Sequence, residues 1–510
     1  MSATAPALLS DTHASPRAAR LPAWWPLAAL TLGAAVLRLS TLDLQSFWYD
    51  EAFTPVHVLH VSLWATLRSV VHTENSPPLW YLIEWVDSRV LGTGEVALRL
   101  PSALAGIATV PLAWAIAREL SGRRAALACA AFVAVNPLFV WYSQEARVYG
   151  LFVFMGALAL WRFLRAERDP TPANMAWFAL AGALALLTHY FAVFLLIAMA
   201  LWLLRQRDTR KLALVACAAI AVVGLALLPL ILAQGGHGTQ WIGRWPLSER
   251  LQAIPQYYLT GASGEPLGHG IELLIALPIL AGVGLWLWRV LENPPAARLP
   301  AIARERRGAQ IALVIATCGV LIPIVLVAVG EDYLAPRNLV AAMIPLTALI
   351  AIATVSPLCG RAGIALAITI AIAFLAISVD VDLSPRLQRG NWREVAKALH
   401  GVQGAHAITT VELGSSPLEY YLPGLRNVRE GSHVTLSEID ETGYAPLRAS
   451  AGEPPAPGFR LAARLDVNGL IVYRFVSPVP RLVSEATLRR HVITLAHPEV
   501  LMAPTDPSPR

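Results

Sequence analysis

The chain has 510 residues, 56% of them hydrophobic before its 34 glycines are counted, and only 15% charged. Ordinary globular domains carry roughly 45–50% apolar residues with glycine included and roughly 25% charged ones, so this surplus needs lipid, and a string of soluble domains of about 150 residues each is excluded. High apolar content, glycine without a triplet period and only four cysteines exclude disorder, collagen and a disulfide-stapled module, and the net charge of +6 is spread in short clusters between apolar stretches, a membrane-topology pattern and not a nucleic-acid surface.

In chain order, Arg17 and Arg20 precede an apolar run from Leu21 to about Leu37. It approaches spanning length and lacks a small-residue cleavage site, so it reads as a retained anchor and not as a cleaved signal peptide. With this run included, about eleven stretches long enough to cross the hydrocarbon core lie between Leu21 and Ile377. Alternate connections hold eighteen Lys and Arg on one side against eight on the other, which makes the N-terminus cytoplasmic. Pro77–Leu91 is short and carries Glu84, Asp87 and Arg89, so it is expected as an amphipathic helix in the interface, with Leu79, Leu82, Ile83 and Val86 on its buried face. The expected organisation is therefore a cytoplasmic segment 1–21, a membrane all-α domain 22–379 with a large outer loop 42–99, and a small extracytoplasmic α/β domain 380–510. Strand-like runs at His406–Val411 and Gly469–Phe475 mark that domain, Pro454, Pro455 and Pro457 a loop within it, and the end from Met502 is expected to fray. Cys129, Cys217, Cys318 and Cys359 lie in or beside apolar stretches without metal-site spacing and read as packing residues.

Ionisable groups at the outer ends of spans are informative, because holding them near lipid costs energy unless a cavity or partner receives them. Four clusters converge there. In Trp48-Tyr49-Asp50-Glu51 the adjacent carboxylates suit a cation or a proton-accepting role, or mark a solvated loop start with an aromatic anchor. His72-Thr73-Glu74-Asn75-Ser76-Pro77-Pro78 reads as a turn and helix cap, which leaves His72 and Glu74 to be explained. Trp141 to Tyr149 is a tight turn holding Gln144, Glu145 and Arg147; Arg147 suits forked bonding to a phosphate, with Glu145 to orient it. The fourth group is looser: His189-Tyr190, then Glu331-Asp332-Tyr333 with Arg337-Asn338, where Arg337 is either a second cation for an anionic ligand or a partner of Asp332. The outer loop 234–268, with His237, Trp241, Arg244 and Trp245, has the mixture of a lid, a sugar-contacting surface or an interface belt.

The runs Trp48-Tyr49-Asp50-Glu51-Ala52, Asn75-Ser76-Pro77-Pro78-Leu79-Trp80-Tyr81, Leu98-Arg99-Leu100-Pro101-Ser102-Ala103 and Trp141-Tyr142-Ser143-Gln144-Glu145-Ala146-Arg147 together resemble the bacterial glycosyltransferase family 39-like membrane proteins. These belong to the GT-C superfamily with the protein O-mannosyltransferases and the aminoarabinose transferases of lipid A. The likeness is strongest over 22–200, weaker through Arg337-Asn338 and Asn391-Trp392-Arg393, and uninformative beyond. It implies a GT-C fold, a polyprenyl-phosphate sugar donor and an envelope glycan, lipid or protein as acceptor on the outer face of the bacterial inner membrane. It further implies Asp50 as the base with Glu51 in support, Arg147 and Arg337 toward the donor phosphate, and Tyr49, His72, Glu74, Gln144, Glu145, His189 and Tyr190 around the substrates. An inverting transfer needs a carboxylate opposite the leaving group, and a lipid phosphate needs a cation more than a general acid. Some relatives carry a basic residue just before the interfacial helix; here that stretch offers only His72 and Glu74, which shifts weight to Arg147. No cofactor is expected; a divalent metal at Asp50 and Glu51 stays open, the sparse ligand set favouring none. Two other classes compete: a flippase or transporter of a lipid-linked saccharide, which would concentrate ionisable residues near the midplane, and an inactive assembly partner, against which the intact Asp50 speaks.

Overall fold

The computed structural model describes residues 24–237, 239–262, 267–292, 299–399, 406–411, 413–491, 493 and 498–502. The topology reading of Arg17 and Arg20 and the expected segment 1–21 lie outside these residues, as does the stretch beyond Met502.

Seven described helices are long and apolar enough to cross a membrane: Glu95–Leu120, Tyr149–Arg168, Arg210–Gln234, Gly268–Leu291, Ile302–Ala328, Pro336–Val355 and Gly360–Leu383. An eighth is formed if Arg123–Val135 and Pro137–Ser143, which meet at 56°, count as one broken span. Trp25–Leu39, Pro172–Thr188 and Ala192–Leu204 are apolar but shorter. The chain is a polytopic membrane protein by these helices, although the expected eleven crossings exceed the seven or eight that length and composition alone identify. Three of the expected spans fall short because their helices end at caps or turns after 13 to 17 residues.

The break in the bent pair has a local cause. Pro137 removes an amide and pushes Asn136 into extended backbone, so the first helix ends there with its last carbonyls unpaired. Arg38, fully buried in the helix Trp25–Leu39, donates to the carbonyls of Ala134 at 2.7 Å and Val133 at 3.0 Å. The Asn136 side chain restarts the chain by accepting from the amides of Leu138 and Phe139. The direction change carries residues 144–148 across the end of the bundle that holds the Asp50–Glu51 turn.

The Pro77–Leu91 expectation becomes a helix over Leu79–Val90, and its inward face is Trp80, Tyr81, Glu84 and Ser88. Leu79, Leu82 and Ile83 are half-buried and Val86 is exposed, so the apolar side faces outward and Glu84 faces into the protein.

After Leu383 the chain builds a six-stranded sheet from β1 (His406–Val411), β2 (Arg426–Asn427), β3 (His433–Tyr444), β4 (Arg460–Val467), β5 (Leu470–Ser484) and β6 (Pro498–Met502), in the order β2-β6-β1-β3-β5-β4. β1 and β3 run parallel; every other pairing is antiparallel. Every residue of the central β1 is buried, as a strand covered on both faces requires. Ile408, Val411 and Val472 pack with Trp392, Val395 and Leu399 of the helix Trp392–Leu399. Ala407, Ile439 and Phe475 pack with Phe459, Leu488 and Ile493. Residues 454–457 form the turn that their prolines announce.

Candidate active site

The loop that begins at Leu42 is folded by one side chain. Arg99, in the first turns of Glu95–Leu120, donates to the carbonyls of Leu42 at 2.7 Å, Gln45 at 2.6 Å and Ser46 at 3.1 Å. It also forks onto Glu51, Nε to Oε1 and Nη2 to Oε2, both at 2.7 Å. Phe47 lies under the guanidinium, and the Ala146 amide adds a 2.8 Å bond to Glu51. Burial works against the Glu51 charge, but Arg99 and Arg389 hold its carboxyl below the usual carboxylate range. Both members of the Arg99–Glu51 pair are buried, so it is a structural clamp whose loss would strand a charge.

One residue earlier, Asp50 stands in a different setting. Its Oδ2 accepts from Arg337 Nη1 at 2.7 Å, and the side chains remain 18% and 22% exposed, which leaves this pair reachable by a ligand. Arg337 comes from the irregular start of Pro336–Val355, and Trp241 and Tyr149 face its guanidinium at 4.9 Å and 5.7 Å. Burial would raise the Asp50 pKa, yet Arg337, Arg147 and Arg389 together hold it below the ordinary value. The Asp50–Arg337 pair rests on a single N–O bond with an accessible edge, whereas Arg99 and Glu51 are forked and sealed, so Arg337 can exchange Asp50 for another anion more readily than Arg99 can leave Glu51.

Arg147 completes the charged floor. Its Nη1 approaches the Asp50 carbonyl at 3.3 Å and the Thr54 hydroxyl at 3.4 Å, while Nη1 and Nη2 meet Glu74 at 3.5 and 3.3 Å. Tyr81 donates to Glu74 at 2.6 Å. Glu74, not Glu145, therefore orients Arg147, which accounts for a carboxylate just before the interfacial helix. The neighbouring Gln144 is tied to the end of the first helix, donating to the Leu37 and Arg38 carbonyls and the Thr41 hydroxyl. Glu145 faces Arg389, whose Nη2 is 3.3 Å away. Burial first, then Glu51 and Asp50, push Glu145 up to about 7 against the opposing pull of Arg389.

Asp50, Glu51, Glu74, Glu145, Arg147 and Arg337 thus come together from segments far apart in sequence. Arg337 pairs with Asp50, while Asp332 is taken by Arg250 at 2.6 and 2.8 Å. Tyr49 turns toward the C-terminal domain, its ring 6.2 Å from Trp392. His72 is exposed at the end of its helix, away from these pairs. His189 is buried, stacks on Phe152 at 4.4 Å and accepts the Phe191 amide through Nδ1. Tyr190 donates to Gln234 at 2.7 Å, and Gln234 donates to the carbonyls of Val70 and Ser76, so Tyr190 braces the chain on either side of Glu74. Three contributors escaped the sequence reading: Arg99 as the loop's clamp, Trp241 as the face under Arg337, and Arg389. Arg389 carried no distinguishing signal, since it is one of four basic residues, with Arg386, Arg393 and Lys397, that follow the last apolar helix. Among the described residues no group of three or more His, Cys, Asp or Glu is placed to hold a metal ion.

Residues 75–232 match the family described as dolichyl-phosphate-mannose-protein mannosyltransferase. YkcB of Bacillus subtilis (strain 168), which carries the name of a mannosyltransferase, is 23% identical over 288 residues, 54% of this chain and 33% of that protein. The match thus spans only 33% of that relative's length. In fold the chain is similar to ArnT from Cupriavidus metallidurans bound to undecaprenyl phosphate, with a TM-score of 0.53 and 14% identity over 89% of this chain and 98% of that one. The apo state of ArnT gives a TM-score of 0.51 over 88% and 97% of the two chains, again at 14% identity. The family match over residues 75–232 and the relative named as a mannosyltransferase both point to sugar transfer, in keeping with the resemblance drawn from the four motifs.

Proposed function

We propose that this chain transfers a sugar from a polyprenyl-phosphate-linked donor to a cell-envelope glycan, lipid or protein. The observation that carries the reading is the partly open Asp50–Arg337 pair at 2.7 Å, flanked by Arg147 on the same outer loop system. ArnT, of similar fold, has been captured with undecaprenyl phosphate, which supports a lipid phosphate as the leaving group here.

The residues divide the work as follows. The donor phosphate competes with Asp50 for Arg337 and is met by Arg147. Losing Arg337 removes the strongest influence that keeps Asp50 acidic, so donor binding raises its proton affinity when a base is needed. The acceptor oxygen then forms its bond to the anomeric carbon as the carbon–oxygen bond to phosphate breaks, with that electron pair passing to the phosphate. The acceptor proton goes to Asp50. Attack from the face opposite the phosphate inverts the anomeric centre. Glu51 acts through the loop, since both its oxygens are held by Arg99. The reaction as written calls on no metal.

The setting we propose is the bacterial inner membrane, with the N-terminus cytoplasmic and the domain after residue 380 outside. Eleven crossings are reached when the three shorter apolar helices also cross alongside the eight longer segments. The test is sugar transfer from polyprenyl-phosphate donors by the purified protein in lipid. Asp50→Asn should abolish transfer and retain donor binding; wild-type turnover in that variant would remove Asp50 from the reaction.

A further inference from the structure

Four buried or half-buried arginines surround the Asp50–Glu51 turn, and they differ in how far their N–H groups are used. Arg99 spends its donors on three carbonyls and a forked carboxylate. Arg337 is held by Asp50. Arg389 is the contrast: its side chain is 5% exposed, yet Nε and Nη2 have no hydrogen-bond partner. Glu145 Oε2 lies 3.3 Å from Nη2 without hydrogen-bond alignment, and Glu51 Oε2 lies 3.9 Å from Nη1. Both Glu145 oxygens likewise lack a donor.

A guanidinium built to serve one carboxylate takes forked geometry, as Arg99 does on Glu51 close by. Arg389 does not, although its position is firmly set. Its ring-like plane lies 3.9 Å from the Trp141 centroid. Its own amide donates to Gln45 at 2.9 Å, the Gly390 carbonyl accepts from Ser46, and the Trp392 amide donates back to Ser46. The segment after the last apolar helix is thereby fastened to the stretch that leads into Asp50. A buried cation with unmet donors is costly unless something arrives to take them, and Arg147 Nε is also unmet.

We propose that Arg389 is a further ligand of the donor phosphate, presenting its free N–H groups from the face of Trp141 to the lipid phosphate beside Asp50. The inference rests on the reading under Proposed function. A phosphate oxygen supplies the acceptors that Glu145 fails to align, and the charge that grows on the phosphate as the sugar leaves is met by a guanidinium already desolvated.

The experiment uses the full chain in lipid nanodiscs with undecaprenyl phosphate as the probe, comparing wild type, Arg389→Gln, Arg389→Lys and Arg386→Gln, the last an exposed arginine on the same segment. Arg389→Gln should weaken binding by about tenfold or more, as loss of charged hydrogen bonds implies, and Arg389→Lys should fall between, keeping charge without the fork. Arg386→Gln should bind as wild type. Excess inorganic phosphate should compete poorly; competition as strong as the lipid's would make this a free-phosphate site and overturn the proposal. Wild-type binding by both Arg389 variants would also overturn it. If Arg389→Gln unfolds, the lysine variant decides by the same criterion. Absence of binding by the wild type would remove the donor reading itself, and this inference with it.

Discussion

Asp50 and Glu51 are neighbours with the same functional group and different work, and burial with partner geometry separates them. Glu51 is fully buried on a forked arginine; Asp50 is partly open on an arginine that can be drawn away. Arg99→Met should therefore act on stability, costing about 3–5 kcal/mol because a buried carboxylate loses its partner, and thermal unfolding checks it. Arg147→Ala should instead weaken donor binding, measured by lipid-phosphate titration. Glu145 supplies a pH test. Its folded pKa, about 7, lies above the ordinary 4.5, so the folded protein binds an extra proton between those values and loses stability as pH rises through them. Glu145→Gln cannot ionise, so its unfolding temperature should gain on the wild type between pH 5 and pH 8; a constant difference would mean that Glu145 ionises normally. The residue types of the site were legible because charges beside lipid are costly, but their pairing was not. Glu74 with Arg147 and Arg337 with Asp50 are set by the way distant segments cross, which residue spacing does not encode.

At the scale of elements, the loop 144–148 owes its place to a broken helix. Pro137 made that break foreseeable, whereas Arg38 reaching across to close the free carbonyls depends on helix packing. Gly106 sits where the parts meet: an added Cβ would lie 2.0 Å from Ser143 Oγ and 3.2 Å from Arg38 Nε. Gly106→Ala should cost about 1–3 kcal/mol and disturb the 141–149 turn, read out as a lowered unfolding temperature with reduced transfer. The short apolar helices show where hydropathy stops being decisive. An apolar run reveals a lipid-facing or bundle-facing segment, but caps and turns, not composition, decide whether it reaches spanning length. The helix Leu79–Val90 makes the complementary point: its acidic residues argued against a span, while the inward placement of Glu84 is a consequence of its neighbours.

For the whole molecule, the C-terminal domain braces the candidate site. Tyr421 accepts the Phe47 amide at 2.8 Å and donates to Glu95, Tyr420 donates to the Thr93 carbonyl at 2.9 Å, and Arg393 pairs with Glu95. Tyr421→Phe should cost about 1 kcal/mol by removing the hydroxyl that links the Phe47 amide to Glu95, which leaves that amide only its 3.3 Å bond to the Glu95 carboxylate, and loosen the loop ahead of Asp50. Strand runs in the tail were legible from their composition, but its contact with the loop at Phe47 joins segments more than 370 residues apart and has no local signal. The proposed orientation rests on charge and is checked by labelling: cysteines placed at the exposed positions Thr93 and Arg361 should react with an impermeant reagent from outside at the first and not at the second. The most direct test of the account is transfer of radiolabelled sugar from a panel of polyprenyl-phosphate monosaccharides to envelope extract, with wild type and Asp50→Asn in parallel. Labelled product from the wild type and none from the variant is the predicted result; equal product from both, or none with any donor alongside movement of donor between leaflets, would contradict it.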